Sequence, residues 1–221
     1  MTNATDEIPY FPATAPDVFR DAAATAALVR PVLAALADVV EVPDAALDDP
    51  TPCASFTVAT LRDHVLGWVQ HFAVALSDPD RSSPRADADA YRAADDPRAP
   101  GEVVRDSAAR IEAALGGDVL GRQVVMSSSR MDGPAVAAMT LGEYLIHGWD
   151  LAAATGRDWA PSDAACDAAR EFFEGMISPE YRSEDGAGGF FAPEVPVPDD
   201  APALHRLLGF AGRNPSWTPP A

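Results

Sequence analysis

Apolar residues recur at helical spacing through five stretches of the chain, each bounded by turn or capping residues. The first runs from Pro16 to Val40 and places Phe19, Ala23, Ala26, Val29, Leu33, Leu36 and Val40 on one stripe. Thr14 is positioned to cap it, and Pro16 falls in the first turn, where its missing N–H costs little. Pro31 should kink or divide this helix. The second begins after Thr57, with Val58, Leu61, Val65, Trp68, Val69, Phe72 and Leu76 as its stripe and His64 and His71 in the same segment. The third spans Glu102 to Leu115 and ends at Gly116-Gly117. The fourth spans Leu141 to Ala154, capped by Thr140 and stopped by Gly156. The fifth, Ser162 to Ile177, follows the turn at Ala160-Pro161. Ala201 to Phe210 is a shorter helical candidate.

The connections are polar. Glu41 to Ser55 is a loop carrying Pro43, Pro50 and Pro52. Ser77 to Pro100 reads as a longer loop, with a short helix expected over Asp87 to Ala94. A loop of that length is uncommon in a compact domain and points to mobility or function. Val119 to Ala138 is ambiguous: Arg122 to Ser129 reads as a strand or an extended arm, and Asp132-Gly133-Pro134 as a turn. No internal repeat is visible. Helices joined by loops imply an all-α bundle, since each apolar stripe must be buried against another. The expectation is one domain over 1–221, with its core at about 14–178 and a tail at 179–221.

Composition narrows the function classes. The chain has 221 residues, 48% hydrophobic, enough for a core without disulfides. A formal net charge of −18 repels phosphate backbones and argues against nucleic acid. Met1 to Pro12 has no basic segment followed by an apolar one, so it does not read as a signal peptide. Charges interrupt the apolar stretches, so no membrane span is expected. The expected compartment is the cytoplasm. Cys53 and Cys166 form no disulfide framework.

The candidate chemistry lies in Thr140-Leu-Gly-Glu-Tyr-Leu-Ile-His-Gly-Trp-Asp150. Glu143 and His147 are one helical turn apart on one face, the spacing two metal ligands need. The same residues read equally well as a capping box, Thr140 at the cap and Glu143 three residues on. Asp150, near that face, is placed to orient a ligand. A third ligand must come from another helix. His64 is the candidate, because a histidine beside an apolar stripe needs a partner. Two histidines and a carboxylate suit Zn, Ni, Fe or Mn and leave a coordination position open. His71 reads as packed or exposed, with the mouth of the site as an alternative. His205 reads as surface, Cys166 as core, and Cys53 as a turn residue or a reactive thiol near a helix N-terminus.

Two segments carry a family resemblance. Thr51-Pro-Cys-Ala-Ser-Phe-Thr-Val-Ala-Thr-Leu-Arg-Asp-His64-Val resembles the second-helix motif of mycothiol-dependent maleylpyruvate isomerase N-terminal domains, which are DinB/YfiT-like metal-binding bundles. Glu143-Tyr-Leu-Ile-His147-Gly-Trp-Asp150 through Gly156 resembles the partner motif. The tail, including Phe191 to Pro202 and Gly212-Arg-Asn-Pro-Ser-Trp217, is similar to a single-domain actinobacterial branch. The resemblance implies a four-helix core and a divalent metal, usually zinc, held at the positions of His64, Glu143 and His147. It also implies a low-molecular-weight thiol, mycothiol, as cosubstrate. The characterised isomerase carries a further C-terminal domain, where this chain shows a helix and an extended tail.

The resulting expectation is a metal- and thiol-dependent transferase or isomerase acting on an electrophilic small molecule. Alternatives are a non-catalytic metal-binding or stress protein and a metal-dependent hydrolase. Pairing into a homodimer through helix faces is left open.

Overall fold

Asp21 sets where the first helix begins. Its carboxylate accepts the Ala24 N–H at 2.8 Å, and α1 runs Ala22–Val39. The computed structural model describes residues 8–183 and 191–220. The start differs from the expected one at Pro16: Asp17–Arg20 form a separate 3-10 turn that buries Phe19. Of the expected stripe, Ala23 is exposed, whereas Val29, Leu33, Leu36 and Val40 are buried. Pro31 does not divide α1. Pro31 and Ala27, whose carbonyl it leaves without an intrahelical donor, both lie on the exposed face, where water can serve instead.

α2 runs Val58–Ser77, beginning after Thr57 as expected, and Thr57 caps it. The Thr57 N–H donates to Thr60 Oγ1 at 2.9 Å, and the Thr60 N–H returns to Thr57 Oγ1 at 3.4 Å. The connection to α3 (Pro100–Leu115) contains two 3-10 turns, Ala88–Ala90 and Ala93–Asp95, in place of the expected helix. The ambiguous segment resolves into an antiparallel hairpin, β1 (Gln123–Val125) and β2 (Arg130–Asp132), with Val124 opposite Met131.

The largest departure is α4, which runs Gly133–Thr155 and so begins two turns before the expected Leu141. Gly133-Pro134 is its first turn rather than a loop. α4 is buried along nearly its whole length, and a helix covered on all sides lacks the polar face that periodicity detects. Gly156, at φ 67°, ends it as expected. α5 (Asp163–Met176) starts from Ser162, and α6 spans Ala203–Phe210.

α1 and α2 each pack against both α3 and α4; α5 packs on α4, and α6 on α5. The molecule is thus mostly helical, with one small hairpin. One continuous cluster of buried apolar side chains extends from Ala13 to Ala211, so the C-terminal segment shares the core. α1 is long and apolar enough to cross a membrane, with a mean hydropathy of 1.6, where the sequence pattern excluded a span. Here it packs among the other helices, and its Arg30 pairs with Glu112 of α3 at 3.0 Å.

Candidate metal centre

The early start of α4 rules out a capping role for Glu143. Thr140 lies inside the helix, and its hydroxyl donates to the Val136 carbonyl at 2.8 Å. Thr140 therefore caps nothing, and the capping-box reading falls. The Glu143 carboxylate faces α2 instead. Its Oε1 is 3.1 Å from His64 Nε2 and 3.5 Å from His147 Nε2. The three donor atoms all lie within 4.8 Å of one another. Donors held at 2.0–2.1 Å from a tetrahedral metal would be about 3.3 Å apart, so the observed spacing accepts an ion with little rearrangement. Among the described residues this cluster has three members and no fourth ligating side chain.

Electrostatics agree with the geometry. Burial works to raise the Glu143 pKa, but His147, His64 and Arg213 outweigh it and hold the carboxyl below its usual range. Glu143 is thus ready to act as an anionic donor. About a quarter of the Glu143 side-chain surface and a fifth of that of His64 remain exposed, so the cluster opens to solvent on one side.

His147 is held from behind. Its Nδ1 is 3.0 Å from Asp150 Oδ2, which leaves Nε2 to point at Glu143. Asp150 is fully buried and receives Arg213 through Nε at 3.3 Å and Nη2 at 3.2 Å. Burial lowers the Arg213 pKa, but Asp150, Cys53 and Glu143 together outweigh it, so the net shift is upward and the guanidinium stays charged. Arg213 arrives from the end of α6. Gly212, at φ 78°, lets the Arg213 N–H reach back to the Leu208 carbonyl at 2.8 Å, a turn that suits glycine. The sequence reading missed Arg213, although its Gly212-to-Trp217 stretch carried part of the resemblance.

Phe56, also missed, packs against both histidines, with ring centroids 5.1 Å from His64 and 6.1 Å from His147. Cys53 precedes it on a turn fixed by the Thr51 hydroxyl, which donates to the Cys53 and Phe56 carbonyls and accepts the Cys53 N–H. Burial raises the Cys53 pKa, partly opposed by Arg213, so the expected depression by a helix N-terminus does not occur. His71 is buried against Trp68, with ring centroids 5.0 Å apart. Its Nε2 and the hydroxyl of buried Tyr144 have no hydrogen-bond partner among the described residues. His205 is half-buried rather than fully on the surface. Cys166 lies in the core, and both cysteines are free.

Fold and site together define a helical protein with a three-donor, solvent-open cluster between two helices. Residues 29–152 match the mycothiol maleylpyruvate isomerase N-terminal domain family, and the chain belongs to that family. Two Mycobacterium tuberculosis proteins, uncharacterized protein MT0763 of strain CDC 1551 / Oshkosh and uncharacterized protein Rv0738 of strain H37Rv, are similar to it. Each is 32% identical over 171 residues, covering 76% of this chain and 85% of the relative. No solved structure matches.

Proposed function

We propose that this chain is a divalent-metal protein that uses a low-molecular-weight thiol, mycothiol, as cosubstrate for a transferase or isomerase reaction. The observation that carries this reading is the convergence of His64, Glu143 and His147 on one point with one side left open. His64, Glu143 and His147 would be the ligands and Asp150 the residue that orients His147. The donor set suits zinc, with Ni, Fe or Mn as alternatives. On this reading α1 to α4 form the DinB-like four-helix bundle within one domain, and the setting is cytoplasmic, where the free cysteines stay reduced.

A cation held there by His64, Glu143 and His147 would supply Lewis acidity, lowering the pKa of a thiol or water and making a nucleophile available near neutral pH. The chain's own residues do the rest. Asp150 keeps the proton on His147 Nδ1, so that Nε2 presents its lone pair. Arg213 neutralises Asp150 and fixes its orientation. Phe56 covers the histidines on one side and keeps water from that face. The exposed edges of His64 and Glu143 leave room for an electrophilic small molecule. The family name supports the thiol, since it pairs mycothiol with this domain.

Metal analysis of the purified protein tests the site. The expected result is about one divalent ion per chain, lost in His64→Ala. Equal metal content in the two proteins would overturn it. Conjugation of an electrophile by mycothiol, with and without chelator, tests the reaction: turnover should vanish on chelation while helicity persists. Turnover without thiol would instead identify a metal-dependent hydrolase. A metal-dependent fold without turnover would identify a non-catalytic metal-binding protein.

A further inference from the structure

The connection between α2 and α3 takes no part in the function proposed above, yet it is tied closely to the outer face of α2. The Ala88 carbonyl lies directly over Gly67, where a Cβ would come within 2.1 Å of it. The Asp63 carboxylate accepts the Ala93 N–H at 2.9 Å. The Trp68 indole N–H donates to Asp89 Oδ1 at 2.9 Å. Asp89 is itself held by its neighbours: Asp87 Oδ1 accepts its N–H at 3.1 Å, and Arg92 donates to its carbonyl at 2.9 Å.

These contacts bring Asp89 to the back of a proposed ligand. Asp89 Oδ1 lies 3.8 Å from His64 Nδ1, on the opposite side of the ring from the Nε2 that meets Glu143. His147 shows the same arrangement in a closer form, with Nε2 toward Glu143 and Nδ1 at 3.0 Å from Asp150. Each histidine of the cluster thus has a carboxylate behind it. The 3.8 Å gap exceeds a hydrogen bond by less than the swing of one side chain, and Asp89 is 70% exposed, so its carboxylate can turn toward His64 about the Trp68 hydrogen bond. A carboxylate has acceptor capacity for both the indole N–H and an imidazole N–H.

We propose that Asp89 is a positioning residue for the metal centre: when a divalent cation takes His64 Nε2, the proton is confined to Nδ1 and Asp89 accepts a hydrogen bond from that N–H, drawing the Asp78–Ala99 loop onto the rim of the site. The inference rests on the metal reading above. Metal binding and loop order are then coupled, because the same hydrogen bond serves both. Trp68 fixes the starting position of Asp89, and Gly67 allows the loop backbone to lie close enough.

The test measures Zn²⁺ affinity of the full chain by competition with a chromophoric chelator, for wild type, Asp89→Ala, Asp89→Asn and His64→Ala. Amide hydrogen exchange across residues 78–99 is followed with and without Zn²⁺. Asp89→Ala should weaken Zn²⁺ binding about tenfold, and Asp89→Asn less, since its amide oxygen still accepts. Zn²⁺ should slow loop exchange in wild type and not in Asp89→Ala, a readout that simple loss of a surface contact would not give. Affinity in Asp89→Ala within about twofold of wild type, or loop exchange equally slowed in both, overturns this inference alone. A wild-type chain that binds no Zn²⁺ overturns the metal reading and this inference together.

Discussion

The two histidines of the cluster face the same carboxylate and are supported in opposite ways. Behind His147 stands Asp150, with no exposed surface, clamped by a buried arginine that the chain delivers from a distant turn. Behind His64 stands Asp89, mostly exposed, on a loop held to α2 by the Trp68 indole N–H and by the Ala93 N–H bound to the Asp63 carboxylate. The first support is part of the core and fixed before any ligand arrives. The second lies in water, where an exposed ion pair contributes little on its own and a side chain can move at small cost. The cluster thus has one histidine supported from the core and one supported from an exposed loop, with Glu143 between them.

The difference can be broken most severely at Arg213. Arg213→Met leaves the Asp150 carboxylate buried without its partner, and the expected destabilisation is about 3–5 kcal/mol. Asp89→Ala should stay within about 0.5 kcal/mol of wild type, as for an ordinary surface change. Chemical denaturation midpoints compare the two, and similar small shifts would remove the contrast between rigid and adjustable sides.

Glycines probe the same contrast at the next level. A Cβ at Gly148 of α4 would fall 2.3 Å from the Trp159 ring, which is fixed by its indole hydrogen bond to the Leu145 carbonyl. Gly148→Ala should therefore cost about 1–3 kcal/mol through overpacking. Gly67→Ala meets the Ala88 backbone carbonyl, so the loop must shift from α2 and expose buried Ala88, a cost offset only in part by alanine's helix preference of about 1 kcal/mol. Its stability should fall less than that of Gly148→Ala, while the Ala93 amide, bonded to Asp63, exchanges faster. A large loss of stability in Gly67→Ala would show the loop side to be as rigid as the other.

The smallest effect concerns Cys53, beside the rigid flank. Burial raises its pKa, Arg213 lowers it and Asp150 raises it. In Asp150→Asn the opposing negative charge is gone and Arg213 remains, so the Cys53 pKa should fall. Alkylation of the folded protein at pH 8 should then be faster than in wild type. In wild type Cys53 should react before Cys166, whose thiol burial pushes up to about 12. Reaction in the reverse order would contradict the placement of Cys53 at the edge of the site.

Much of this was legible in the chain. α2 was read from Thr57 onward because its apolar stripe is regular, and α5 because it follows the turn at Ala160-Pro161; their side-chain caps, Thr57 and Ser162, came from the structure. The placement of His64, Glu143 and His147 as candidates followed from spacing joined to a family resemblance. Spacing alone left Glu143 divided between ligand and cap. The start of α4 removed the cap, and it was illegible because the first two turns, Gly133 to Met139, are apolar on every side and open on a glycine and a proline. Pro31 misled for the converse reason: its cost depends on whether the freed carbonyl meets solvent, which a linear pattern does not record.

The sequence by itself determined the helical character, the start of α2 after Thr57, the stop at Gly156 and the residue types that can hold a cation. These follow from periodicity and local hydrogen bonding, which operate within a few residues. Only the tertiary structure decided that Glu143 turns to α2, that Arg213 closes over Asp150 from 63 positions away, and that Asp89 stands behind His64. Those arrangements depend on which buried faces meet, because a buried charge is stable only where its partner is brought to it, and local sequence carries no record of that meeting.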